Sequence, residues 1–144
     1  MTLLVLTPRE ASIFACVCDT VVAPEPLLPP VRDTDAVAFL DRWLAASPRL
    51  NRTGLRALIY AAELAPRALG LGHRLRVLRE DERAIALERA GAAKRPEVKA
   101  LFKLVQSIAC LAYYGDDAVM ARLGYDADAV VHRARALRVR EARP

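Results

Sequence analysis

The chain has 144 residues, of which 54% are apolar and 6% aromatic, and its 22 Lys and Arg outnumber its 17 Asp and Glu to give a formal charge of +5. A chain of this length suits one domain whose core needs neither a disulfide nor a metal to fold. An Ala-rich and Leu-rich sequence with few β-branched runs predicts an all-α protein, a single compact bundle of about five to seven helices. The positive charge permits binding to nucleic acid or to an anionic surface without demonstrating it.

No segment has the composition of a leader or a membrane span. The N-terminal MTLLVLTPRE lacks the basic region and the long apolar core of a secretory signal, and no other run is long and apolar enough to span a bilayer. The cysteines, Cys16, Cys18 and Cys110, are odd in number, and the first two lie too close together on a predicted helix to bridge. We therefore expect small buried or half-buried thiols in a reducing compartment and a cytoplasmic location.

The first predicted helix begins after Thr7, which can form a capping box with Glu10, and Pro8 suits the first turn. It should end near Val22, because the following prolines cannot continue it. These prolines stiffen an extended connector over residues 23–33. Its apolar side chains, Leu27, Leu28 and Val31, suggest that the connector is pinned to the core.

Two more helices precede a glycine-rich turn. The second is expected from Asp35 to Ala46, and the third from Pro48 to about Leu69 with Ser47 as its cap. Pro66 lies inside the third pattern and should kink or end that helix. The Gly70-Leu71-Gly72 stretch then predicts a turn. It does not suit a phosphate loop, because no strand precedes it and the third glycine of a dinucleotide site is missing.

The second half of the chain contains four predicted helices, over Glu80–Gly91, Lys94–Tyr114, Asp116–Leu123 and 127 to about 140. The expected core face of the fifth helix comprises Val98, Leu101, Phe102, Val105, Ile108, Ala109 and Ala112. Its opposite face carries Arg95, Lys99 and Lys103. The simplest interpretation of that basic stripe is a solvated face. The last helix adds a cluster of arginines, Arg133, Arg135, Arg138, Arg140 and Arg143, for which we expect a solvated, fraying tail.

The residue types that carry chemistry stand in no catalytic or metal-binding pattern. His73 and His132 have no Cys or carboxylate at ligand spacing. Asp116 and Asp117 suit a helix N-cap and a first-turn acid, and no serine lies in a nucleophile elbow. We therefore expect no catalytic, cofactor-binding or metal-binding residue in this chain, and no independent enzymatic activity.

The end of the fifth helix is the most unusual stretch of the sequence. No charged residue occurs between Lys103 and Asp116, and the helix closes on a Tyr-Tyr-Gly-Asp corner that a Gly-Tyr corner follows. Two tyrosines at a helix end suit a core and a protein interface equally well, because each combines a large apolar ring with a polar tip. The candidate interface residues are Leu111, Tyr113, Tyr114, Asp116, Leu123 and Tyr125.

The run FKLVQSIACLAYYGDDAVMARLGYD resembles the end of the N-terminal helical region of long-chain alcohol oxidases, members of the glucose-methanol-choline oxidoreductase family. It is more loosely similar to the small subunit, subunit 3, of gluconate 2-dehydrogenase-type enzymes. Three earlier segments are also similar: LTPREASIFACVCDTVVAPEP, VAFLDRWLAASP and HRLRVLREDERAIALERA. The resemblance is most specific at Leu111–Asp116 together with Leu123–Tyr125.

This resemblance implies a helical accessory domain over residues 1–126, followed by a C-terminal basic helix and tail over residues 127–144. It implies a non-catalytic subunit that binds and stabilises a separate flavin-dependent alcohol or sugar dehydrogenase or oxidase, with FAD in that partner and no cofactor in this chain. The alternative is a basic helical module for nucleic acid or for general protein interaction. Nucleic acid is the less favoured partner, because no recognition helix flanked by a tight turn is apparent.

Overall fold

The computed structural model describes the backbone of residues 2–141 and the side chains of residues 2–138, and within that part of the chain it contains helices and no strand. The predicted all-α bundle of five to seven helices is thereby confirmed. The helices are α1 Pro8–Val22, α2 Ala36–Ala46, α3 Arg49–Ala68, α4 Glu80–Gly91, α5 Pro96–Tyr114, α6 Asp117–Arg122 and α7 Ala127–Glu141. Short 3₁₀ turns occur at Val31–Asp33 and Leu75–Val77.

Helix α1 lies at the centre of the bundle and packs against α2, α3, α4 and α5. The buried core combines apolar side chains from most of the helices, including Ile13, Phe14, Leu40, Leu44, Ile59, Ile108, Tyr113 and Val119. The first buried side chain of α5 is that of Ile108. The prediction that Leu101 belongs to the core face is wrong, because 49% of that residue is exposed.

The capping box predicted at the start of α1 is confirmed, and it also joins α1 to α3. The Glu10 carboxylate accepts hydrogen bonds from the backbone N–H and the hydroxyl of Thr7, each at 2.8 Å, while the Thr7 hydroxyl accepts one from the Glu10 N–H. The same carboxylate is bound at both oxygens by Arg56 of α3, at 2.8 and 3.2 Å. Burial by itself raises the pKa of Glu10, but the hydrogen bonds from Arg56 and Thr7 outweigh it, so the pKa lies below its usual value.

A second buried carboxylate fixes the N-terminal segment. Asp41 of α2 accepts the backbone N–H groups of Leu4, Val5 and Leu6 at 2.6, 2.9 and 2.7 Å. Burial raises the pKa of Asp41, but these three bonds more than offset it and the net pKa is lowered. Because of them, the segment before α1 lies against α2 with Leu6 buried.

Two details around α1 and α3 differ from expectation, the cap of α3 and the exposure of Leu27. Pro48, not Ser47, occupies the N-cap position of α3, and the Ser47 hydroxyl instead donates to the carbonyl of Trp43 at 2.8 Å. Helix α3 ends at Ala68, one residue before the predicted end near Leu69, so Pro66 does not end it. In the connector, Val31 is buried and Leu28 is half-buried as predicted, whereas Leu27 is 81% exposed.

Candidate protein-interaction site

The corner between α5 and α6 places the candidate interface residues on both sides of a tight chain reversal. Gly115 follows the last residue of α5, Tyr114, as its C-cap, and a Cβ atom at Gly115 would lie 2.7 Å from the carbonyl oxygen of Leu111. Because that oxygen belongs to the backbone, it cannot swing away as a side chain could. The glycine is therefore required by space, and it lets the chain turn directly into α6.

Tyr113 forms the inner side of this corner. Its side chain is 0% exposed, and its hydroxyl donates a 2.6 Å hydrogen bond to the carbonyl of Pro29 in the proline-rich connector. Burial raises the pKa of Tyr113, and the neighbouring Tyr114 and Asp116 raise it further, so the phenol keeps the proton that it donates. The sequence left core and interface equally open for Tyr113, a candidate interface residue, and its burial places it in the core of this chain.

Asp116 has a structural role that involves both carboxylate oxygens. One oxygen accepts the backbone N–H groups of Ala118 and Val119 at 2.9 and 3.2 Å, which caps α6 as predicted. The other accepts the backbone N–H of Asp35 at 2.7 Å, just before α2 begins. Asp116 thereby fixes the corner to α2, and the fully buried Val119 anchors α6 to the core.

The outer side of the corner is apolar and accessible. Leu111, Tyr114, Leu123 and Tyr125 are each between 42% and 54% exposed. The ring of Tyr114 packs edge-on against that of Tyr113, with centroids 5.1 Å apart, so its orientation is set by the core. Leu123 and Tyr125 flank Gly124, whose φ of 67° favours glycine, and the Tyr125 N–H donates to the Met120 carbonyl at 2.9 Å. We call these four side chains the corner surface.

Helix α7 follows the corner surface and leaves all its described side chains, at residues 127–138, exposed. Val130, Val131 and Leu137 are 44–53% exposed. Three arginines, at positions 133, 135 and 138, stand among them. Arg140 and Arg143 lie outside the residues whose side chains the structure describes. A solitary helix of 15 residues is marginally stable in water, so α7 gains stability if another surface covers it.

The histidines and cysteines of the described residues differ in exposure. His73 and His132 are both exposed. The three thiols are free and buried or half-buried, and burial raises the pKa of Cys18 to about 12 and that of Cys16 above its usual value, so both stay protonated at neutral pH. Among residues 2–138, no three His, Cys, Asp or Glu side chains converge as metal ligands would.

Sequence reasoning missed two features that the structure places elsewhere in the bundle. One is a set of three buried carboxylates. Glu10 binds Arg56, and Glu63 binds Arg76. Asp41 binds the N-terminal backbone. The other is an apolar groove of about 640 Å³ between α3, α4 and α5. Its sequence signal was the helical spacing of alanines at positions 61, 62, 65 and 68 and at 86, 90 and 93.

No family model, no curated protein and no solved structure matches this sequence. Within the described part of the chain, none of the helices is both long enough and apolar enough to cross a membrane.

Proposed function

We propose that this chain is a non-catalytic helical subunit that binds and stabilises a separate flavin-dependent alcohol or sugar dehydrogenase or oxidase of the glucose-methanol-choline type. The proposal rests on the resemblance of the fifth helix and its corner to the helical region of long-chain alcohol oxidases. It places FAD in the partner and the complex in the cytoplasm.

The observation that supports this function best is that some residues of the corner fix its backbone while others expose apolar side chains. Its inner residues, Tyr113 and Asp116, bind the connector and the start of α2, and this holds the backbone in place. Its outer residues are large, apolar and accessible. Tyrosine is enriched among interface anchors, and a corner that already orders its exposed side chains lowers the entropy lost when a partner binds.

Helix α7 extends the candidate contact area beyond the corner surface. It begins directly after Tyr125 and Asp126, and it carries exposed valine and leucine side chains among arginines. We expect the partner to cover both elements, with acidic side chains opposite Arg133, Arg135 and Arg138. Such an interface would combine an apolar centre with a charged rim, as is common in protein complexes.

The test is co-expression of the full chain with a glucose-methanol-choline type flavoprotein from the same organism, followed by purification through a tag on this chain. We expect a complex that contains the flavin absorbance of the partner. The substitution Leu123→Asp should reduce recovery of the partner at least tenfold, because it places a charge in the apolar centre of the interface.

The matched control is Leu50→Asp, which introduces the same charge at an 83% exposed leucine in the first turn of α3. Leu50 lies beyond the end of α2 that is distant from Asp116, so it should leave recovery unchanged. No co-purification of the wild-type chain, together with equal soluble yield with and without the flavoprotein, would contradict the proposal.

The alternative function is nucleic-acid binding, and one observation favours it. Arg95, Lys99 and Lys103 are all exposed on α5, and the described arginines of α7 are exposed as well. If these groups contact phosphates, the affinity for labelled duplex DNA or RNA should fall steeply as salt increases. A fluorescence anisotropy titration near physiological salt that shows no complex would remove this alternative.

A further inference from the structure

The groove between α3, α4 and α5 is large enough to hold a small molecule. Its volume is about 640 Å³, and Val17 and Val21 of α1 contribute to its lining. Ligand sites in proteins commonly measure roughly 300–1,000 Å³ and are mostly apolar. The groove lies along the first half of α5, where Val98, Phe102 and Val105 are only half-buried.

Alanine is the reason that the helices leave this space open. The α3 wall consists largely of Ala61, Ala62, Ala65 and Ala68, and the α4 wall includes Ala86 and Ala90. Because an alanine side chain ends at Cβ, it cannot reach across to the opposite helix as leucine would. Leu101 of α5 lines the groove and is half exposed, so an apolar edge faces solvent there.

The few polar groups that line the groove give it a definite charge. Eighteen of its 21 lining residues are apolar, and the others are Thr20, Lys94 and Arg95. Lys94 and Arg95 are exposed, and no acidic side chain belongs to the lining. Arg95 is also the N-cap residue of α5, where no side chain caps the free N–H groups of the first turn. The positive end of the helix dipole therefore adds to the two cations, whereas Glu97, exposed in that turn, subtracts from them.

We propose that this groove binds a free long-chain carboxylate, a fatty acid, with its acyl chain between α3, α4 and α5 and its carboxylate at Lys94 and Arg95. An anionic amphiphile matches both the apolar walls and the positive end. Helix α7, from this chain or from a second copy, suits the groove less well because its arginines carry the same charge as Lys94 and Arg95.

This inference goes beyond the proposed function and does not depend on it. The groove lies along the first half of α5, and the corner surface lies at the other end. Leu101 and Leu111 are about 15 Å apart along the helix axis, given a rise of about 1.5 Å per residue. The effects of substitutions in the groove can therefore be measured separately from the effects of substitutions at the corner surface.

The test is a calorimetric titration of the purified full chain with dodecanoate below its micelle concentration. We expect one saturable site, and binding about fourfold tighter for each methylene added between decanoate and dodecanoate. Dodecanol, which lacks the carboxylate, and dodecyltrimethylammonium, which reverses its charge, should both bind more weakly. Vesicles of anionic phospholipid should not bind, because the site takes a free acid.

Two matched pairs of variants locate the site. Ala65→Phe fills the groove and should weaken dodecanoate binding at least tenfold, whereas Ala57→Phe, at an exposed position on α3, should not. The double variant Lys94→Glu with Arg95→Glu should weaken it about tenfold, whereas Lys99→Glu, at an exposed position outside the lining, should have little effect. The charge variants lie on the surface, so they remain informative if Ala65→Phe does not fold.

Several results would overturn the inference. The first is that dodecanoate shows no saturable binding to the wild-type chain. The second is that a groove variant and its control weaken dodecanoate binding equally. The third is that dodecyltrimethylammonium binds with the same affinity as dodecanoate. Binding to phospholipid vesicles alone would assign the surface to a membrane. Loss of the flavoprotein on Ala65→Phe, with no dodecanoate binding in the wild type, would assign the groove to the protein partner.

Discussion

Replacing Tyr113 by Phe should destabilise the fold, whereas replacing the adjacent Tyr114 by Phe should not. Tyr113→Phe removes the hydroxyl that donates to the Pro29 carbonyl at 2.6 Å and leaves the rest of a fully buried ring in place. In the described part of the chain, the hydroxyl of Tyr114 takes part in no such bond, and the residue is 42% exposed. The pair therefore compares the same chemical change on the two sides of one corner.

The magnitude follows from what the hydroxyl does. A net hydrogen bond contributes about 1 kcal/mol, and leaving its acceptor unpaired adds to this when the acceptor is buried. Pro29 is only half-buried, so water can partly replace the lost donor. We therefore expect Tyr113→Phe to lower the free energy of unfolding by about 1–2 kcal/mol. With an unfolding entropy of about 2.1 cal/mol/K per residue, this corresponds to a Tm lower by roughly 3–7 °C.

The assay is urea unfolding followed by far-ultraviolet circular dichroism, with thermal unfolding as a second measurement. Tyr114→Phe should change the free energy of unfolding by less than about 0.5 kcal/mol, as is usual for surface positions. An equal effect of the two substitutions, or a larger effect of Tyr114→Phe, would refute the assignment of Tyr113 to the core and of Tyr114 to the surface.

Three further predictions concern stability. Acidification should destabilise the fold, because the pKa values of Glu10 and Asp41 are lowered from 4.5 and 3.8. The two carboxylates contribute fully to the free energy of unfolding above about pH 5, and this contribution is lost as the pH falls through their folded-state pKa values. Urea unfolding at several pH values should show a weaker pH dependence for Glu10→Gln. Asp41→Asn should cost about 2–3 kcal/mol in the same assay, because three N–H donors then share one uncharged acceptor, whereas Asp33→Asn at an exposed position should cost little. Gly115→Ala should lower the free energy of unfolding by about 1–3 kcal/mol because the new Cβ meets the Leu111 carbonyl. Gly54→Ala, in the second turn of α3 where a Cβ meets no atom, should raise the free energy of unfolding by about 0.5–1 kcal/mol. A change of the same sign for both variants would contradict the spatial role of Gly115.

Local signals in the sequence were sufficient for most helix boundaries. The Thr7 and Glu10 pair, the proline run and the glycines at positions 70 and 72 act within a few residues of where they stand, so their effect can be read without the fold. Asp116 was likewise recognisable as a helix cap. Its second bond, to the N–H of Asp35, was not, because it depends on an approach between residues 81 positions apart.

At the candidate site and in the groove, the features that the sequence did not predict also depend on contacts between residues distant in the sequence. Periodicity showed that α5 has an apolar face, but it could not show that α3 and α4 present alanines opposite the first half of that face. Leu101 consequently faces a groove and solvent instead of a filled core. The two tyrosines at the end of α5 are adjacent in sequence and similar in chemistry, and the bond from the Tyr113 hydroxyl to Pro29 joins residues 84 positions apart, which no local pattern predicts.

Hydrogen–deuterium exchange of the purified chain, alone and with a glucose-methanol-choline type flavoprotein from the same organism, tests the central claim most directly. If the corner surface and α7 bind the partner, exchange should slow at residues 111–125 and 127–138 and stay unchanged at the groove residues 61–68. Complex formation without slower exchange at residues 111–125, or with protection confined to the groove, would contradict the claim that the corner is the docking surface.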